Sequence, residues 1–200
     1  MAGVKQFDRE FVLDKAMEVF WQKGYEGTSV RDLTIATGLG KGSLYGAFGD
    51  KEQLFITVLD RYADKFQAEI VEQLNNPDPY RAIEGMFEVA IARMSNHKYP
   101  RGCLNTITSV GMSGKSEAIE RKIAERLGSL ESAIYGVLRK AQTEDKLSSE
   151  QDIKALTRFL IAVFQGMTVL NKTSADPAVI RDVAKVALNF WGEKKLWLQK

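Results

Sequence analysis

The run Lys41-Gly42-Ser43-Leu44-Tyr45-Gly46-Ala47 gathers the side chains best suited to touching a polyanion. Lys41 supplies a cation for phosphate, Ser43 and Tyr45 supply hydroxyls for phosphate or base edges, and Gly42 allows close backbone approach. Gly46 and Ala47 bring nothing polar, so Ala47 offers at most a contact to a thymine methyl. A little further on, Asp50-Lys51-Glu52-Gln53 reads as a helix start. Its free amides, with Lys51 beside them, make a second phosphate site. Catalytic chemistry is poorly supplied by comparison. His97 is the only histidine and Cys103 the only cysteine, so no zinc cluster can be assembled. No catalytic residue, metal ligand or cofactor is assigned, and no Gly-x-x-x-x-Gly-Lys-Ser/Thr phosphate loop occurs.

These residues need a frame to hold them. Leu44 and Phe48 lie four apart, which predicts a short helix over 41–48 with an apolar inner face and a polar outer one. Upstream, 28–37 has a helical pattern with a start signal, Thr28 or Ser29 followed by Asp32, and a stop signal at Gly38. Two short helices joined by a glycine-containing turn form a helix-turn-helix, whose second helix enters the DNA major groove. The candidate DNA-contacting residues are Thr28, Ser29, Arg31, Lys41, Gly42, Ser43, Tyr45, Gly46, Ala47 and Lys51. Spacing alone fits a plain helical hairpin in a bundle equally well.

Phe20, Gly24-Tyr25, Thr28 to Asp32, Gly38, Lys41 to Tyr45, Phe48 and Lys51-Glu52 together resemble the N-terminal domain of the TetR family. The resemblance covers roughly the first 55 residues. It departs at Thr34 and Thr37, where alanine is usual, at Gly40, where serine is common, and at Gly46 and Ala47, where bulkier residues are common. What it implies is a dimeric bacterial transcriptional regulator, usually a repressor of the cytoplasm, that leaves its palindromic double-stranded operator when a small molecule binds. The alternative from another class is a helical protein–protein adaptor with no DNA affinity.

Composition agrees with a globular regulator: 200 residues, 44% hydrophobic, with a single cysteine that suits a reducing compartment. The first residues carry no apolar run of a signal peptide, and the most apolar stretch, 159–170, is about half of a membrane span, so no membrane is expected. Charge is less decisive. Through residue 55 there are seven basic residues against eight acidic ones, so any basic footprint has to be a local patch made by Lys41, Lys51, Arg31, and by Lys5 and Arg9.

The rest of the chain reads as all-α. A first helix is expected from Asp8 to Lys23, closed by Gly24. A long linking helix is expected from Lys51 to about Leu74, broken by Asn75-Asn76-Pro77. Asp78-Pro79 starts a further helix, and one is expected from Gly102 to Val110. The strongest periodicity, Ile119 to Ala141, is followed by a helix capped by Ser148-Ser149-Glu150-Gln151, and the last starts at Asp176-Pro177. The expected division is a helix-turn-helix domain over 1–50 and a helical ligand-binding and dimerisation domain over 51–200. Apolar residues spread around the whole circumference of 153–170, which suggests a second subunit. Phe159, Val163, Val183, Ala187 and Phe190 are the expected dimer contacts. Phe87, Ile91, Met94, Cys103, Ile107, Tyr135, Phe164 and Met167 are the expected ligand-binding residues, facing an apolar or aromatic molecule. Cys103, beside Arg101 and Lys98 at an expected helix start, has the surroundings that favour a thiolate able to meet oxidants or electrophiles. A small buried apolar residue is the competing reading.

Overall fold

The computed structural model describes residues 7–111, 116–174 and 176–191, and every regular element among them is helical. Helix α1 (Arg9–Lys23) starts at Asp8, whose carboxylate accepts from the amides of Glu10 and Phe11 at 2.9 and 3.1 Å. Helix α2 (Val30–Thr37) has a complete capping box: Ser29 accepts from the Asp32 amide while Asp32 accepts from the Ser29 amide. Gly38, at φ 70°, ends it in the left-handed conformation that glycine adopts without cost. Helix α3 (Lys41–Phe48) follows with no side-chain cap, because Gly40 has none to give. Helix α4 (Lys51–Tyr62) starts at Asp50, which accepts from the Gln53 amide at 2.9 Å.

The linking helix is not one regular helix as the stripe of Leu54, Val58 and Phe66 suggests. It passes through a π turn (Ala63–Gln67) before resuming as α5 (Ala68–Gln73). A π turn loosens the backbone ladder and leaves carbonyls short of partners. Arg93 supplies them, its guanidinium donating to the carbonyls of Phe66 and Lys65 while pairing with Glu69. No local sequence pattern announces this turn, since its stabiliser lies 27 residues away.

Helix α6 (Pro79–Met94) is capped by Asp78 with proline at its first position. Helix α7 (Leu104–Gly111) begins later than expected because Gly102 sits at φ 84°, outside helical space. Helix α8 (Glu117–Thr143) buries Ile119, Ile123, Leu130, Ile134, Leu138 and Ala141, the expected periodic stripe. Helix α9 (Ile153–Thr173) is capped by Asp152 and not by the serines before it. Those serines belong to a turn folded over Gln142, whose amide donates to the carbonyls of Ser148 and Gln151 at 2.8 Å. Helix α10 (Pro177–Trp191) closes the chain against α9 and α6.

Helices α1 to α4 make a head built on Phe20, Leu33, Leu44, Leu54 and Phe55, all fully buried. That core does not stop at the head. It continues through Tyr62 and Phe66 to Leu104, Ile119 and Ile123 of the body. A second cluster, around Ile83, Met86, Phe87, Ile134 and Met167, holds α6, α8, α9 and α10 together. Helix α9 has 21 residues, and its most apolar 18-residue window has a mean hydropathy of 1.5, so by length and composition it could cross a membrane, contrary to the half-span expected. Here one side of it fills that second cluster.

Ion pairs lash the head to the linker. Arg61 and Lys65 donate to Asp14 of α1 at 3.0 and 2.5 Å, and Arg61 also pairs with Glu10. Asp60 pairs with Lys122 and Arg126 of α8. Burial pushes the Asp14 carboxyl up, but the hydrogen bonds from Arg61 and Lys65 outweigh it, leaving the group below its ordinary value of 3.8. A depressed folded pKa means stability that is present above the unfolded value and lost as pH falls through the folded one. Asp14→Asn therefore lowers stability at neutral pH by about 1 kcal/mol and flattens the loss below about pH 4. Urea unfolding at pH 7, 5 and 3 checks both, and parallel curves for variant and parent refute them.

Candidate nucleic-acid interface and cavity

Helix α3 turns Leu44 and Phe48 into the head core and leaves Lys41, Gly42, Ser43 and Gly46 exposed along one outer face. No heavy atom lies within 4 Å of a Cβ built on Gly42 or Gly46, so this face is open. Tyr45 and Ala47 are half-buried at its edges. Burial, then the Asp50 carboxylate, pushes the Tyr45 phenol above its ordinary value, so it stays a neutral donor.

The other candidate residues divide. Arg31 is exposed on α2, on the flank of α3. Ser29 is exposed, but its hydroxyl is engaged with Asp32 in the capping box. Thr28 is buried, and its hydroxyl donates to the Gly24 carbonyl at 2.6 Å, so it closes the turn after α1 instead of facing outward. Lys51 stands 4.4 Å from the centre of the Tyr25 ring. Burial lowers its pKa, with the nearby Glu26 acting the other way. Asp32 is held far below the carboxylate range by hydrogen bonds from Lys23 and Ser29, so one acid of the head is neutralised by pairing.

Arg9 has a larger part than its place in a basic patch suggests. Its guanidinium donates to the Ala47 carbonyl at 3.0 Å and lies 4.3 Å from the centre of the Phe48 ring. It thus pins the C-terminal end of α3, from 38 residues away, where no local signal could reveal it.

A cavity of about 270 Å³ opens at the seam between head and body. Met94, Cys103 and Phe164 border it as expected. Phe87 and Met167 are fully buried core instead, filling space where a ligand would need it empty. Ile91 packs against the second core cluster, Ile107 packs toward the head, and Tyr135 stands on the outer side of α8 near Lys154 and Arg158. What sequence reasoning missed is the aromatic wall. Trp21, Tyr62, Phe66 and Tyr99 all border the cavity and pack on one another, with Trp21 meeting Tyr62 and Phe66 edge-on at 4.9 and 5.1 Å. Tyr62 ends α4 and Phe66 lies within the π turn, so the wall draws on both sides of that junction.

Cys103 immediately precedes α7, and its carbonyl accepts from the Ile107 amide at 2.9 Å. It is half-buried, and Arg101 and Lys98 are exposed to solvent. The Tyr62 hydroxyl lies against its sulfur. Burial above all, then the interaction with Cys103, pushes the Tyr62 phenol well up, so it stays neutral with its hydroxyl engaged at Cys103.

A third surface lies on α9 and α10. Phe159, Val169 and Leu170 are exposed, at 40%, 47% and 37%, and Val186 of α10 is 69% exposed. Val163 and Val183 are half-buried beside them. Ala187 is buried in the chain's own core and offers nothing outward, and the side chain of Phe190 lies outside the described residues.

Known proteins match this arrangement. Residues 12–58 match the family described as bacterial regulatory proteins, tetR family, and residues 79–187 match the tetracyclin repressor-like C-terminal domain. The HTH-type transcriptional repressor ComR of Escherichia coli (strain K12) is 33% identical over 191 residues, covering 94% of this chain and 91% of that protein. The HTH-type transcriptional regulator YezE of Bacillus subtilis (strain 168) is 30% identical over 191 residues, covering 94% and 98%. Among solved structures, a cysteine mutant of the TetR family regulator CifR, complexed with 26-bp operator DNA, superposes with a TM-score of 0.87. It is 29% identical, covering 94% of this chain and 98% of that one.

Replacing Arg9 by Met keeps the aliphatic stem over Phe48 but removes the carbonyl cap and the cation. The variant loses about 0.5–1 kcal/mol of stability in thermal unfolding and binds duplex DNA more weakly than that loss alone explains. Unchanged DNA affinity shows that α3 holds its position without Arg9.

Proposed function

Since this chain belongs to the TetR family of bacterial regulatory proteins, we propose that it is a non-enzymatic repressor of the bacterial cytoplasm. Two copies bind a palindromic operator, and a small molecule in the seam cavity releases them. The observation that carries this reading is the open face of α3. Lys41, Gly42, Ser43 and Gly46 are exposed together, and Tyr45 borders them, on a helix fixed from behind by Leu44 and Phe48. Lys41 and Arg31 take phosphates, while Ser43, Tyr45 and Ala47 stand where base edges come. Lys51, at the start of α4, adds a phosphate contact.

The division of labour proposed is a reading head over 1–50 and a body over 51–200 that dimerises and binds the effector. Dimerisation uses the exposed stripe of Phe159, Val163, Val169 and Leu170 with Val183 and Val186, because apolar area of this kind is stable only when covered. Aromatic walls suit an apolar or aromatic effector. Half-buried Cys103 on the same wall offers an electrophile a point of attack. Release follows if the effector favours a head spacing that no longer fits successive major grooves, about 34–36 Å apart.

A selected duplex titrated at several salt concentrations tests the interface. Lys41→Ala weakens binding to every sequence and lowers the salt slope by about 1.8, one phosphate contact from each of the two copies, whereas Tyr45→Phe weakens the selected duplex by about 1 kcal/mol and random duplex less. An unchanged slope and unchanged affinity in both variants take α3 out of the interface. Val186→Glu, at a site exposed within one chain, folds normally and sediments as a monomer at micromolar concentration. A dimer that survives this change moves the interface elsewhere.

A further inference from the structure

Gly102 is the residue at which the cavity and the DNA-reading head meet, through the two successive peptide groups on either side of its Cα. Its amide donates to Asn171 Oδ1 of α9 at 2.7 Å, and its carbonyl accepts from the indole Nε1–H of Trp21 in α1 at 3.2 Å. Asn171 in turn donates through Nδ2 to the Met94 carbonyl at the end of α6, at 3.0 Å. Beside this chain, Lys172 Nζ donates to the Gln22 carbonyl at 3.2 Å, next in sequence to Trp21. Trp21, Gly102 and Met94 all line the cavity, and Asn171 is 6% exposed. The two bonds made by Gly102 are buried, where losing a partner costs the desolvation of the group left behind.

Gly102 has little freedom to adjust. It holds φ 84°, and a Cβ there would stand 3.0 Å from Ile107 Cδ1 and 3.3 Å from both Lys172 Cβ and the Thr168 carbonyl oxygen. A molecule that fills the cavity beside Cys103 meets Gly102 itself and the Trp21 ring bonded to its carbonyl. Either the Trp21–Gly102 bond persists and the molecule is refused, or the bond opens and α1 is freed from the body at that end.

We propose that the Asn171–Gly102–Trp21 chain is the connection by which occupancy of the cavity changes the head, with Trp21 as its positioning residue. The inference rests on the seam cavity being the effector site, and it names the bond through which that site acts.

The single cysteine allows a test without knowing the effector. Methyl and benzyl methanethiosulfonate attach one group at Cys103 of the full chain, and affinity for a duplex selected from a random pool is compared before and after labelling. Labelling the parent weakens binding about tenfold, more for benzyl than methyl, whereas in Trp21→Phe the labelled-to-unlabelled ratio falls to about twofold. Trp21→Phe removes the donor and also part of the buried ring, so each protein is compared with its own unlabelled baseline. Solvent exchange of the Trp21 indole proton, followed by NMR in the parent, gives a reading that needs no variant. It is slow before labelling and faster after. If labelling leaves the parent's affinity unchanged, the cavity is not an effector site and the inference falls with that reading. If labelling weakens the parent and Trp21→Phe equally, or the indole proton stays protected while affinity drops, the cavity acts by another route and this connection alone is overturned.

Discussion

Everything that makes this chain one machine meets where four aromatic rings pack at the seam. Trp21 comes from the head, Tyr62 and Phe66 from the linker, and Tyr99 from the loop before α7. Phe66 meets Tyr99 edge-on at 4.8 Å, and Trp21 meets Tyr62 at 88°. Such contacts are worth about 0.5–1.5 kcal/mol each beyond area burial, but their greater effect is geometric. Rings locked edge to face transmit a displacement of one as a displacement of the others, because a close-packed interior has no slack to absorb it. The head cannot tilt without disturbing the wall of the cavity.

The π turn begins directly after Tyr62 and carries Phe66 within it. One looser turn rotates the later residues, and the cost of the unpaired carbonyls is met by Arg93 from α6. A linker with an irregular turn is softer there than elsewhere, and this softness sits directly against the cavity, which borders Tyr62, Ala63, Asp64, Phe66 and Gln67.

Much of the fold was legible because its signals are local. Asp8, Ser29 with Asp32, Asp50 and Asp78-Pro79 each announce a helix start within three residues, and Gly24 and Gly38 announce stops. The outer face of α3 was legible too, from Leu44 and Phe48 alone. What escaped was non-local. Arg9 reads as a patch residue until Ala47 arrives from across the chain. The cavity's lining escaped for the same reason. Phe87 and Met167 are the right residue types for a ligand site, but the tertiary packing uses them as filler, and the wall is built from residues whose sequence neighbours assign them to other elements.

Helix α3 has eight residues, two interior glycines and no side-chain cap at its start. Each glycine costs about 0.5–1 kcal/mol relative to alanine in a helix, and a glycine at the N-cap forgoes roughly a few tenths more. The reading element is therefore the head's least self-sufficient segment, held helical by Leu44, Phe48 and Arg9 and not by its own backbone. Free of DNA, it opens at a lower free energy than the helices around it, and its amides exchange with solvent first. Part of the binding energy an operator supplies is then spent on ordering the helix that reads it. Duplexes that seat it imperfectly return less, so local instability becomes a means of discrimination between sites.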